Sequence, residues 1–253
     1  MKFFHAFSAI LFLFSHYSSA DVVFDKTRDR NILIDISYPT QKHQCTNSSK
    51  CPVSFISAGY GVSHSKYVFL TQLLNEFGYM TVSIAHELPQ DPPLAIKGDL
   101  FESRSENWIR GANTLDFLQK QLAIQHSNYD FDSLVLVGHS NGGDISAWLA
   151  NEGKSYVKTV ITLDNRRVPL PRNDNIQVLS IRGSDFRADS GVLPTSHEEA
   201  TLSMCIVKIL NSRHNDMSDY GPDWLKAKIT KIIAFFLSGS ACASLKQEAI
   251  QTK

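Results

Sequence analysis

The stretch that decides the fold runs from Leu134 to Trp148, LVLVGHSNGGDISAW. It opens with an aliphatic run, Leu134 to Val137, of the kind a strand carries when both faces of its sheet are covered. Past Gly143 the pattern turns helical. Between the two stands Gly138-His139-Ser140-Asn141-Gly142-Gly143, one serine among small residues where a strand becomes a helix. Such a turn is sterically awkward, and the glycines at 138 and 142 remove the side chains that would block it. In return the Ser140 hydroxyl is predicted to stand clear of the sheet, at its carboxyl end, where open α/β sheets gather functional groups. A helix N-terminus lies beside it, with free N–H groups and a positive dipole. The pattern predicts a nucleophile that attacks a carbonyl, with the resulting oxyanion facing those N–H groups. A phosphate-binding turn competes poorly, because no lysine completes a Walker pattern.

Outward from this turn, strands and helices alternate. Toward the N-terminus, ILIDISYP alternates apolar and polar residues as an antiparallel strand with one wet face does. PVSFISAG and YMTVSIAH read as strands, with a helix over SKYVFLTQLLNEFG between them, stopped by Gly78. A long polar loop, 87–104, leads to a helix expected from about Glu106 to His126. Toward the C-terminus come strands at VKTVITLD, IQVLSIRG and MCIVKIL, and a closing amphipathic helix, PDWLKAKITKIIAFFLSG, with Pro222 in its first turn. This rhythm predicts an α/β fold, a mostly parallel central sheet of about eight strands with helices on both faces. Only NRRVPLPRNDN separates two of the strands where a lid helix would be inserted, and its prolines and lack of apolar periodicity predict no substantial lid.

A serine needs a base, and a base reached from farther along the chain must be His197 or His214. His214 is preferred. It lies in a loop after the last strand, whereas His197 in PTSHEEA reads as a solvated residue at a helix start. The acid that holds the imidazole is less determined. Asp185 lies just past the strand ending at Gly183 and leads; Asp189 is the alternative, and Asp164, at the tip of the preceding strand, comes third. Asp216 is too near His214 in sequence to lead. The loop SAGYG, with Gly59 and Gly61, is expected to bring a second oxyanion donor: the backbone N–H of Tyr60 would join that of Asn141.

Composition sets the outer limits. The chain has 253 residues, 43% hydrophobic, enough for one sizeable core. Lys and Arg number 25 against 25 Asp and Glu, so no electrostatic case for nucleic acid or an anionic membrane arises. MKFFHAFSAILFLFSHYSSA reads as a secretory signal peptide over residues 1–20, leaving 21–253 as a single domain with no further segment for membrane insertion. Export to the periplasm or medium puts the four cysteines in an oxidising compartment. Cys45 and Cys51 flank a polar turn and are the first expected pair, which leaves Cys205 with Cys242. No metal site is expected: no cysteine or histidine pair has zinc-ligand spacing, and the His86, Glu87 and Asp91 group is unlike a dedicated site.

Together, GYG at 59–61, GHSNGG at 138–143, GSDFRAD at 183–189 and RHNDM at 213–217 resemble the α/β-hydrolase fold superfamily. The arrangement looks like the lidless serine esterases of the cutinase, polyester-hydrolase and platelet-activating-factor acetylhydrolase group, and like a bacterial branch with His-Glu-Leu-Pro at 86–89. The likeness implies a triad of Ser140, Asp185 and His214, since the acid-to-histidine spacing of such enzymes favours Asp185. It implies no cofactor. Asn141 departs from the methionine usual after the nucleophile in polyester hydrolases, so plastic or cutin activity is not implied. The expectation is an exported serine hydrolase that cleaves small-molecule carboxylic esters through an acyl-enzyme. The rival readings are thioesterase or peptidase chemistry on the same triad, or a binding protein that kept the scaffold without turnover. Arg166 and Arg167, beyond a strand tip, read first as solvated loop arginines; contact with an anionic substrate is the alternative.

Overall fold

The Leu134–Val137 run lies within an eleven-residue strand near the middle of the sheet. The computed structural model describes residues 18–251. Its strands are β1 (Ser18–Asp25), β2 (Arg30–Ser37), β3 (Cys51–Ser57), β4 (Met80–Ile84), β5 (Tyr129–His139), β6 (Val157–Leu163), β7 (Gln177–Arg182) and β8 (Met204–Lys208). Its helices are α1 (Val68–Glu76), α2 (Leu100–Gln125), α3 (Asn141–Asn151), α4 (Ser196–Thr201), α5 (Asp223–Leu237) and α6 (Cys242–Ile250). All eight strands form one sheet in the order β1-β2-β4-β3-β5-β6-β7-β8. β1 and β2 are antiparallel to their neighbours, and β3 to β8 run parallel. Of the segment expected as a signal peptide, residues 1–17 lie outside the described residues, and Ser18–Ala20 pair with Ser37–Asp35 as the start of β1.

The parallel register follows from the apolar runs, which are buried on both faces. α2 and α3 cover one face: Trp108, Leu115, Leu118 and Ile145 pack on Phe55, Leu134 and Leu136. α1, α5 and α6 cover the other, where Leu70, Leu74, Ile229, Ile232 and Leu245 meet Ile56, Val137, Ile161 and Ile181. Burial of a side chain such as these contributes roughly 1.5–3 kcal/mol. α2 starts at Leu100, earlier than expected, because Asp99 caps it by accepting from the Phe101 and Glu102 N–H groups. The cap overrides a polar first turn that reads as loop. The short α6, absent from the sequence reading, is tied to β8 by a disulfide between Cys242 and Cys205; a second joins Cys45 to Cys51.

What matters for the site is the alignment of strand tips. Gly138 on β5 pairs with Ser57 on β3 and with Thr162 on β6, so the loops after all three strands open at one level. The segment between β6 and β7 contains no helix.

Candidate active site

β5 delivers Ser140 into the turn before α3 with φ 52° and ψ −118°, a conformation that costs a non-glycine residue of order 1–3 kcal/mol. The flanking glycines make it possible by close approach. A Cβ at Gly138 would lie 2.2 Å from the Gly142 carbonyl oxygen, and one at Gly142 would lie 2.1 Å from that of Ser57. The turn is further held by the Ser140 N–H, which donates to the Leu163 carbonyl at the end of β6 (2.8 Å). Ser140 is left half-buried at the edge of the site.

His214 reaches it from the loop after β8. Its Nε2 lies 2.9 Å from the Ser140 Oγ. Its Nδ1 lies 2.9 Å from the Oδ2 of Asp164, which is fully buried. The carboxylate facing the imidazole is therefore Asp164, at the tip of β6, and not the expected Asp185. β6 lies directly beside β5 in the sheet, so a residue leaving its tip is already next to the Ser140 turn. A φ of 57° at Asp164 turns its side chain in at once. The second Asp164 oxygen accepts from the Gly183 N–H (3.1 Å) and lies 3.0 Å from Nη2 of Arg182, a buried guanidinium that gives the carboxylate a counter-charge.

Asp185 binds the same histidine differently: its Oδ1 accepts from the His214 backbone N–H (2.8 Å). Asp189 turns away, pairing with Arg166 (3.2 Å). Asp216 follows His214 in a short 3₁₀ turn, and His197 stands exposed at the start of α4. Phe186 closes the far side of the imidazole, stacked at 3.7 Å between ring centroids and 24° between planes.

Beneath the three loops runs a hydrogen-bond chain the sequence reading did not find. The Gly59 N–H donates to the Tyr67 hydroxyl (2.9 Å). Tyr67 and His139 Nδ1 are 2.8 Å apart, and His139 Nε2 is 3.0 Å from the His214 carbonyl. Only one arrangement of protons satisfies all members. His139 Nε2–H donates to the carbonyl, and the Tyr67 O–H donates to Nδ1. That requires a neutral imidazole, and burial pushes His139 down to about 4. Burial likewise raises the Tyr67 phenol, keeping its proton in place.

With the Gly59 N–H occupied, the Tyr60 and Asn141 N–H groups make no hydrogen bond among the described residues. Tyr60 is fixed through its hydroxyl, which accepts from the Leu94 N–H (3.1 Å). The Asn141 side chain points away from Ser140. Its Oδ1 accepts from Trp108 Nε1 (2.9 Å) and its Nδ2 donates to Asn107 (2.8 Å), locking the start of α3 to α2. His86 is buried against Ser57, at 2.9 Å from its hydroxyl, and Asp91 pairs with Arg30 at 2.6 Å.

This geometry can relay a proton from a hydroxyl to an imidazole backed by a carboxylate, beside two unengaged N–H donors. No protein-family model matches the chain. No curated protein matches it in sequence either. Solved structures do match in fold. A ferulic acid esterase from Streptomyces cinnamoneus superposes with a TM-score of 0.65 at 14% identity, covering 97% of this chain and 96% of its own. An esterase from Rhizomucor miehei gives 0.62 at 14% identity, covering 89% and 84%. A dienelactone hydrolase from Anabaena variabilis gives 0.59 at 16% identity, covering 89% and 98%. The chain has the α/β-hydrolase fold.

Proposed function

We propose that the protein is a serine hydrolase of small carboxylic esters, with Ser140 as nucleophile, His214 as base and Asp164 as the acid that orients it. The observation that carries this is the continuous line of contacts from the Ser140 Oγ through both His214 nitrogens to a buried carboxylate, each step at 2.9 Å. Ser140 attacks the acyl carbon while His214 takes its proton. The imidazolium that forms is stabilised by Asp164 and returns the proton to the leaving alcohol. The N–H groups of Tyr60 and Asn141 would receive the oxyanion. Water, deprotonated by the same imidazole, then releases the acid and restores Ser140. The short β6–β7 connection supports a site without a lid, and the disulfides support an oxidising compartment outside the cytoplasm. The esterases among the solved structures of this fold agree with an ester as substrate.

A fluorophosphonate probe tests the reading together with a panel of p-nitrophenyl esters. We expect Ser140-dependent labelling and turnover, both lost in Ser140→Ala. Folded wild-type protein that neither labels nor turns over any ester would leave only the binding-protein alternative.

A further inference from the structure

We infer that the site takes esters carrying an anionic group, which Arg166 and Arg167 bind with the help of Arg104; this rests on the hydrolase reading above. Arg166 and Arg167 leave the β6 tip directly after the Asp164–Asn165 pair. The Arg166 guanidinium lies over the Phe186 ring at 4.5 Å, and the other partner of that ring is the His214 imidazole. A positive charge therefore sits one aromatic ring away from the proposed base.

Arg167 is the stronger clue. It is 8% exposed, and its Nε is buried with no hydrogen-bond partner among the described residues. Its nearest counter-charge is Asp189, at 3.9 Å, and that carboxylate is 47% exposed and already engaged by Arg166. A buried guanidinium N–H left unmet is costly unless an acceptor such as an anion meets it. Arg104, near the start of α2, donates from its Nε to the Ala95 carbonyl (2.7 Å) and adds a third positive charge that the other two feel. The buried Asp144 beside them has its Oδ1 occupied by the N–H groups of Arg166, Arg167 and Val168. Arg166 and Arg167 thus share one surface carboxylate that water also solvates. A substrate carboxylate could pair with the planar Arg167 fork that the protein leaves open.

Two ester pairs test this, each differing in one charge. The mono-p-nitrophenyl ester of adipic acid against p-nitrophenyl heptanoate places the anion on the acyl side. 4-Acetoxybenzoate against its methyl ester places it on the alcohol side. We expect kcat/KM to favour the anionic member of at least one pair by about tenfold, the scale of one charge-assisted hydrogen bond. The advantage should shrink in high salt. The quantity read is the anionic-to-neutral ratio, which should fall toward one in Arg167→Gln, Arg166→Gln and Arg104→Gln. Arg104 is only partly buried, so its variant serves if Arg167→Gln does not fold. A wild-type ratio near one for both pairs, or a ratio the substitutions leave intact, overturns the proposal. Calorimetry of adipate binding to Ser140→Ala separates it from the hydrolase reading: binding that needs the arginines, in a protein that hydrolyses no ester, would keep the anion site and remove the esterase.

Discussion

Asp164 and Asp185 both hold His214, one at the ring and one at the backbone, and the two contacts predict different variants. Asp164→Asn has one oxygen for two donors, the His214 Nδ1–H and the Gly183 N–H, and loses the charge that balances an imidazolium. The rate of ester hydrolysis should fall by about 10⁴ with little change in KM. Asp185→Asn keeps an amide oxygen for the His214 N–H, so its loss should stay within about tenfold, the scale of one hydrogen bond. Steady-state kinetics on one chromogenic ester reads both. Equal losses would mean that Asp185 orients the imidazole as much as Asp164 does. At this scale Ser140 and His214 are legible in the sequence, because each stands in a local pattern. Asp164 carries no local mark that separates it from Asp185, since the choice depends on which strand tip lies next to Ser140.

The elements meet at the site through the chain from Gly59 to His214. Tyr67 at the start of α1, His139 at the end of β5 and the β8 loop are joined by its members. Tyr67→Phe removes the proton given to His139 and leaves the buried Gly59 N–H unmet, at a cost of about 1–3 kcal/mol. Because the Gly59 loop and His214 both shift, kcat should fall by about tenfold or more while KM moves less. A Tyr67→Phe variant with lower stability but unaltered kcat would reduce the chain to a packing role. α1 is tied to the same loop at its other contact, where Asp219 accepts from the Val68 and Phe69 N–H groups. None of this is visible in SKYVFLTQLL, which reads as a helix entering the core. A tyrosine and a histidine 72 residues apart carry no pattern that pairs them.

For the whole molecule, buried titratable groups set the response to acid. Burial pushes His139 down to about 4 and His86 to about 3, against an ordinary 6.5, so between about 4 and 6.5 the unfolded chain binds protons that the folded chain refuses. Their contribution is complete above 6.5 and is lost as the pH falls. Asp144 works the other way. Burial raises it from 3.8 to about 6, so the folded chain holds the extra proton in that window and stability is lost as pH rises through it. Among these three, two oppose one, and their net is about one proton, or about 1.4 kcal/mol per pH unit, with stability rising toward neutrality. Urea unfolding at pH 4.5, 5.5 and 6.5 should show midpoints that climb. In the double variant His86→Gln/His139→Gln the climb should flatten, since Asp144 then opposes only His126, which burial also holds below its ordinary value.

The amino-acid sequence by itself determined the α/β class, the run of strands and helices, the Ser140 turn with its glycines, and His214 as the histidine that follows the last strand. These are properties of neighbours along the chain: apolar periodicity, small residues around a strained turn, and caps. The tertiary structure alone decided which carboxylate faces His214, the Tyr67–His139 chain and the unmet Nε of Arg167. Each depends on strand order and on which loops converge at the sheet's carboxyl edge. β6 folding next to β5 is a long-range pairing, and no local preference of VKTVITLD specifies it.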